Sequence, residues 1–418
     1  MKHLKSTTSL QIAALCMLLC ALYSLQAVGQ TYQVPVLETD EPMATGPFSP
    51  TWESLRQYQV PEWFRDAKFG IWAHWGPQCV EGSGDWMARE LYMEGNGKYN
   101  YHVAHYGHPS EVGFKDILPL FRAEHWTPEE LVRFYKEEVG AEYFFALGNH
   151  HDNFDLIYFD VTVLPFYPMS DAGLKITTHM YNHSAALHGG KNQAVVFGKI
   201  LEEDQKSALV WDVERGAPNE ILQRPWQCCN CLGDWHYNTS VYERNGYKSA
   251  ATVAKLLVDI VSKNGNMLLS VPLRADGTPD EKELAILHEF GAWMKINKES
   301  IVKTRPWTIF GEGPIANADI KINNQGFNDG QYTRAGSDEI RFTQTEHYLY
   351  VCALAWPNDH TITVRALAEG SQYFPGKISK VELLGYGKVQ FRRTPDALVV
   401  TLPEQQLNNI MPVLKIKI

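Results

Sequence analysis

Between Lys68 and Asn297, short apolar runs alternate with segments of helical period, and this alternation limits the fold more than any other property of the chain. The runs are KFGIWAHW (68–75), AEYFFALG (141–148), LIYF (156–159), AVVFGKI (194–200), ALVWDV (208–213), PWQ (225–227) and GNMLLSVPL (265–273). They lack the polar-apolar alternation of a half-exposed strand, so they read as parallel strands buried on both faces, with helices covering the sheet. Thr127-Pro128-Glu129-Glu130 opens one helix, with Thr127 as cap and Glu130 completing a capping box. Others run from Ser170-Asp171 to about His188, from Tyr247 to Lys263, and from Thr278-Pro279-Asp280-Glu281 to Asn297. No G-x-G-x-x-G follows the first run, and the number and spacing of the runs favour a (β/α) barrel of the TIM type over a doubly wound sheet.

Past Thr304 the period becomes two, in EIRFTQTEHYLYVCALAW, TITVRAL, ISKVELLGY, VQFRRT and ALVVTLP, which predicts a small C-terminal antiparallel β-sandwich. The first 29 residues read as a secretory signal: Lys2 and Lys5, an apolar stretch from Leu10 to Leu25, then small residues ending at Gly29. The organisation expected is therefore a signal at 1–29, an α/β barrel at 30–303 and the sandwich at 304–418, with the mature chain secreted or periplasmic. A net charge of −10 argues against a nucleic-acid partner, and no basic stripe or membrane anchor is expected. Beyond the signal lie Cys79, Cys228, Cys229, Cys231 and Cys352. That odd number is no disulfide framework, and Cys228 to Cys231 fits buried thiols, one local disulfide or half of a metal site.

Barrels place their chemistry at the C-terminal ends of strands. There the sequence offers His74, the pair His150-His151, Asp160, Glu214, and then Trp226 and Trp235. Separated acids with histidines and tryptophans suit glycoside hydrolysis, in which one carboxylate attacks the anomeric carbon and another group protonates the leaving oxygen. Asp160 ends an apolar run and needs a partner or a function, since a buried unpaired charge is costly. Glu214 adjoins Arg215, so an ion pair competes with a catalytic role, and the three histidines would also suit a metal cluster. Twelve Trp and twenty Tyr fit either sugar stacking or a large core. The Gly-, Tyr- and His-rich stretch 82–108 reads as a long functional loop.

WFRDAKFGIWAHWG, GNHHDNF, DLIYFD, PWQ…DWHYN and VSKNGNMLLSVP…DG, in this order, resemble the exported α-L-fucosidases, family 29 of the glycoside hydrolases. The resemblance implies a retaining hydrolase on a (β/α) barrel with a C-terminal β-sandwich, no metal and no other cofactor. Its implied substrate is a fucosylated oligosaccharide or glycoconjugate. Carried over by motif, Asp160 matches the nucleophile, and His74, His150 and His151 match fucose-binding histidines. Trp86 of GDWMARELY matches a sugar-pocket aromatic, with Trp226 and Trp235 as further candidates and Glu214 as the candidate acid/base. In the family a long segment separates the His-His motif from the nucleophile strand. Here only a few residues do, so an incomplete barrel is expected. The shortening leaves a second reading open, a relative that binds fucosides without cleaving them.

Overall fold

The computed structural model describes residues 42–146, 155–160, 170–320, 322 and 325–418; His150, His151 and the N-terminal 29 residues lie outside them. Seven parallel strands form the barrel: β1 (Phe69–Ala73), β2 (Tyr143–Ala146), β3 (Leu156–Phe159), β4 (Val195–Gly198), β5 (Val210–Glu214), β6 (Trp226–Cys231) and β7 (Gly265–Ser270). Their order in the sheet is β2-β1-β7-β6-β5-β4-β3. The first strand therefore pairs with the last, as a barrel requires, with Phe69 opposite Met267 and Trp72 opposite Ser270. Among the described residues β2 and β3, neighbours in the chain, do not pair with each other. Parallel neighbours need a crossover of a dozen or more residues, and the chain between Ala146 and Leu156 is shorter than that. The expected incomplete barrel is what forms: nearly closed, with one seam.

Side chains cross the barrel where the backbone ladder does not. Tyr158 of β3 donates its hydroxyl to Asp212 Oδ2 at 2.9 Å, and Gln227 Nε2 donates to Asp212 Oδ1 at 2.8 Å. Tyr143 of β2 donates to Gln227 Oε1 at 3.0 Å, which joins both edge strands through β5 and β6. Asp212 and Gln227 are fully buried. Gly70 makes room for one end of this chain: a Cβ there would lie 2.3 Å from the Tyr143 ring. Above it, the Trp72 ring packs against Tyr158 and Phe145, at centroid distances of 5.1 and 6.3 Å, from the two sides of the seam.

The covering helices include Ala172–Leu187, Ala250–Ser262 and Glu281–Asn297. Asp280 caps the last with a full capping box to Glu283. The box expected at Thr127 does not form; that helix starts at Pro128 as read, but Thr127 makes no side-chain cap bond. The stretch 82–108 is not all loop, since it carries the short helices Met87–Glu90 and Gly97–His105. All five described cysteines are buried free thiols, so no local disulfide forms.

The second unit begins with β8 (Arg305–Glu312), followed by β9 (Ile340–Gln344), β10 (Tyr348–Ala353), β11 (Thr361–Val364) and β12 (Val381–Leu383). It ends with β13 (Gly387–Lys388), β14 (Gln390–Arg393), β15 (Leu398–Thr401) and β16 (Val413–Lys417). A six-stranded sheet, β13-β12-β16-β10-β9-β8, faces a three-stranded one, β11-β15-β14, across one apolar core. Helix Ala250–Ser262 lies between this sandwich and β7, which explains why nearly all its residues are buried. At the junction Arg341 Nε donates to Asp259 Oδ1 at 2.6 Å and Lys263 Nζ to Asp259 Oδ2 at 2.8 Å. Arg341 Nη1 also reaches Glu339 Oε2 at 3.0 Å, and all four side chains are at most 2% exposed.

Candidate active site

A pocket of about 570 Å³ opens at the C-terminal ends of the strands, lined among others by Trp72, His74, Asp85, Trp86, Asp160, Lys199, Glu214, Trp235 and His236. Asp160 follows the last residue of β3, Lys199 follows β4, and Glu214 ends β5. Because these strands are neighbours in register, their ends bring the three side chains together. Lys199 Nζ lies 3.1 Å from Asp160 Oδ1 and 2.8 Å from Glu214 Oε2. With one ammonium touching both, those oxygens are at most about 6 Å apart, close to the spacing of a retaining carboxylate pair and short of the inverting one.

The ion pair that competed for Glu214 goes elsewhere. Arg215 adopts a positive φ of 51° and turns to Asp329, 3.2 Å from its Nε, while Glu214 faces Lys199. Burial opposes the charge of Lys199, but Cys229 and the carboxylates of Glu214, Asp160 and Asp212 outweigh it and raise its pKa. The ammonium is therefore permanent at neutral pH. Asp212, one turn of the pleat below Glu214, is pushed up by burial against the pull of Lys199 and of the hydrogen bonds from Gln227 and Tyr158. Burial also pushes up the thiols of Cys228, Cys229 and Cys231, the last to about 11.

His74, just past β1, is neutral: burial, then the nearby His236 and Lys199, bring its pKa down to about 3 against the pull of Asp85. Ser270 directs its hydroxyl to Trp235 O at 3.4 Å and so accepts from His74 Nδ1, 3.0 Å away. That assignment leaves His74 Nε2 as a lone-pair acceptor. His236 donates from Nδ1 to Asp85 Oδ1 at 2.9 Å, and Gln78 Nε2 approaches its Nε2 at 3.4 Å. Burial raises Asp85, but the His236 hydrogen bond and charge more than offset it and hold Asp85 below the usual carboxylate range. Trp86 caps a short helix in the left-handed region at φ 61°, which turns its ring outward; it is 59% exposed at the pocket mouth. The Arg89 guanidinium lies 5.9 Å from that ring. Trp235 packs edge-on to Trp72 and tilted to His74, at 5.7 and 5.3 Å.

Of the sequence candidates, Asp160, Glu214, His74, Trp86 and Trp235 share this pocket. Trp226 does not. It is the first residue of β6, at the N-terminal end of the strand, 1% exposed, with its indole N–H given to Lys263 O at 2.9 Å. Trp72, Asp85 and His236 were not singled out. Trp72 sits two residues before His74 and so on the same strand face, a signal the sequence carried. The Asp85–His236 pair joins positions 151 apart, and no local pattern announces it.

Paired carboxylates, imidazoles and indoles at the C-terminal rim of a parallel barrel are the equipment of a glycoside hydrolase. The family model described as "Alpha-L-fucosidase" matches residues 36–176 and 155–299, two segments that overlap over 155–176, and "Alpha-L-fucosidase C-terminal domain" matches 335–417. The chain belongs to the α-L-fucosidase family. It is 23% identical to the plasma α-L-fucosidase of Homo sapiens over 343 residues, covering 62% of this chain and 73% of that protein. The alignment is longer than the covered part of this chain, so the human protein carries residues with no counterpart here. To the tissue α-L-fucosidase of Rattus norvegicus it is 22% identical, covering 85% of this chain and 89% of the other. Among solved structures, the Thermotoga maritima α-fucosidase superposes with a TM-score of 0.63 at 21% identity, covering 88% of this chain and all of that one, which shows a shared fold.

Proposed function

We propose that this glycoside hydrolase removes terminal α-L-fucosyl residues from glycans or glycoconjugates with retention of configuration. The observation that carries the reading is the meeting of Asp160 and Glu214 on the Lys199 ammonium inside the pocket. In the first half-reaction an Asp160 oxygen bonds to the anomeric carbon as the bond to the leaving oxygen breaks, and Glu214, which must enter this step with a proton taken up from solvent, gives that proton to the leaving oxygen. In the second, Glu214 takes a proton from water, the water oxygen bonds to the anomeric carbon, and the ester to Asp160 breaks. Lys199 fixes both carboxylates without exchanging protons, while neutral His74, Trp235 and Trp86 hold the sugar. His150 and His151 join them by their match to fucose-binding positions.

Release of 4-nitrophenol from its α-L-fucoside tests this. Asp160→Ala should lower turnover by roughly a thousandfold or more, and the first sugar released should be the α-anomer by NMR. A wild-type rate equal to that of Asp160→Ala overturns the reading in favour of a fucoside binder. The polar chain after Gly29 and the signal-like first 29 residues support export. Among the described residues no helix is long and apolar enough to cross a membrane. The domain limits that fit this reading are 30–303 for the barrel and 304–418 for the sandwich.

A further inference from the structure

We propose that segment 325–329, supplied by the second unit, positions Glu214 for proton transfer, with Asp329 as its anchor; this rests on the reading of Glu214 as the acid/base. Glu214 ends β5, and the described residues 215–225 run from it to β6 without the helix that usually joins parallel strands. β4 pairs with β5 only at Val210 and Trp211, while β6 continues alongside as far as Glu214. One edge of the strand end is therefore vacated just where the side chain must be held. The chain between β8 and β9 fills it. Gln325 forms a parallel bridge with Glu214, and Gly326 N and Phe327 N donate to Glu214 O at 3.0 and 3.1 Å. Gln325 thereby joins Glu214 in lining the pocket. The segment lies between the residues that the two family models match.

Three contacts fix this clamp to the barrel. Gly216 and Gly326 lie back to back: a Cβ on Gly326 would stand 2.5 Å from Gly216 Cα, too close to fit without displacement. Asn328 spans the same loop, accepting from Ala217 N at 3.1 Å and donating to Ala217 O at 3.0 Å. Asp329, 3% exposed, receives Arg215 through Nε at 3.2 Å and Nη2 at 3.4 Å, with Lys248 Nζ 3.3 Å away. Arg215, the strand neighbour of Glu214, is thereby kept off the Glu214 carboxylate, which is left to Lys199 and the pocket. A carboxyl group passes its proton only within hydrogen-bond reach of the leaving oxygen, and a displacement of about 1 Å can cost on the order of a hundredfold in rate. Segment 325–329 touches no reacting atom in this account; it acts through the backbone that carries Glu214.

The test compares kcat/KM for two α-L-fucosides, one with 2-chloro-4-nitrophenol as leaving group and one with phenol. The first phenolate departs unaided, whereas the second needs the proton. Glu214→Gln should lower kcat/KM for the phenyl fucoside by roughly a hundredfold or more, and for the other by less than about threefold. Asp329→Asn removes the anchor and Gly326→Ala pushes the segment off Gly216. Each should repeat the pattern, at roughly tenfold on the phenyl fucoside. Asp329→Asn decides if its urea midpoint shows it folded, and Gly326→Ala decides if not. A variant that only loosens the fold loses both substrates in equal proportion. Equal losses in the deciding variant, or unchanged rates on both substrates, overturn the proposal while the Glu214→Gln result keeps the acid/base reading. No discrimination by Glu214→Gln, or no turnover by the wild-type chain, removes that reading and the proposal with it.

Discussion

The barrel seam and the barrel–sandwich junction are two boundaries of one molecule, closed by opposite means. At the junction, Arg341, Asp259, Lys263 and Glu339 are buried together with their charges matched. At the seam no backbone bonds join β2 to β3, and closure falls to aromatic rings and to the Tyr158–Asp212–Gln227–Tyr143 chain. Buried ion pairs are strongly destabilised by loss of one partner. A hydrogen-bonded side-chain relay has several weaker links, each replaceable at modest cost. The junction is therefore stiff and intolerant, while the seam is serviceable and forgiving, and the active-site pocket borders the second.

That contrast can be broken most directly at Arg341. Arg341→Met leaves Glu339 without its guanidinium and Asp259 with Lys263 alone, and should cost about 3–5 kcal/mol in urea unfolding. Beside the seam, His74 makes stability depend on acid. Its pKa near 3 when folded lies below about 6.5 for the unfolded chain, so between these values the unfolded chain binds more protons. Its contribution is complete above about pH 6.5 and is lost as pH falls toward 3; going from pH 7 to pH 5 should cost about 2 kcal/mol. Asp212, whose raised pKa acts in the opposite direction, is common to wild type and His74→Asn, so the difference between their unfolding curves at the two pH values isolates His74. An equal pH slope in both proteins would discard this account.

Tyr158→Phe removes one link of the relay but leaves Asp212 its bond from Gln227, and should cost about 1 kcal/mol. A loss as large as that of Arg341→Met would erase the difference between the two boundaries. The smallest effect belongs to the outer face. Lys295 and Glu138 pair at 3.0 Å but are 60% and 49% exposed, so Lys295→Ala should change stability by less than about 0.5 kcal/mol.

Much of this was legible in the sequence because it depends on local order. Continuous apolar runs gave the strands, and an acid directly after such a run, as at Asp160, or at its end, as at Glu214, had to sit at the barrel rim. Trp226 shows the limit of that reasoning. Which rim a residue occupies depends on whether it begins or ends its strand, and PWQ extends into the buried cysteines up to Cys231. Lys199, reached from two other strand ends, and the Asp85–His236 pair exist only once the sheet has curled. Thr127 failed as a cap although its neighbours suit one, because cap geometry depends on a backbone angle that the residue type favours but does not impose.

The strand order has a topological consequence. Hydrogen bonding runs unbroken from β3 through β7 to β1 and β2, so the sheet's two edge strands are consecutive in the chain, while the chain's first and last barrel strands are joined inside the sheet. In effect the barrel is a rearranged ribbon whose ends are stitched by one short covalent link. The strands on either side of that link share the β1–β7 pairing and the tyrosine relay. The two parts of the barrel, β1–β2 and β3–β7, thus meet along the β1–β7 ladder and not at the point where the chain joins them.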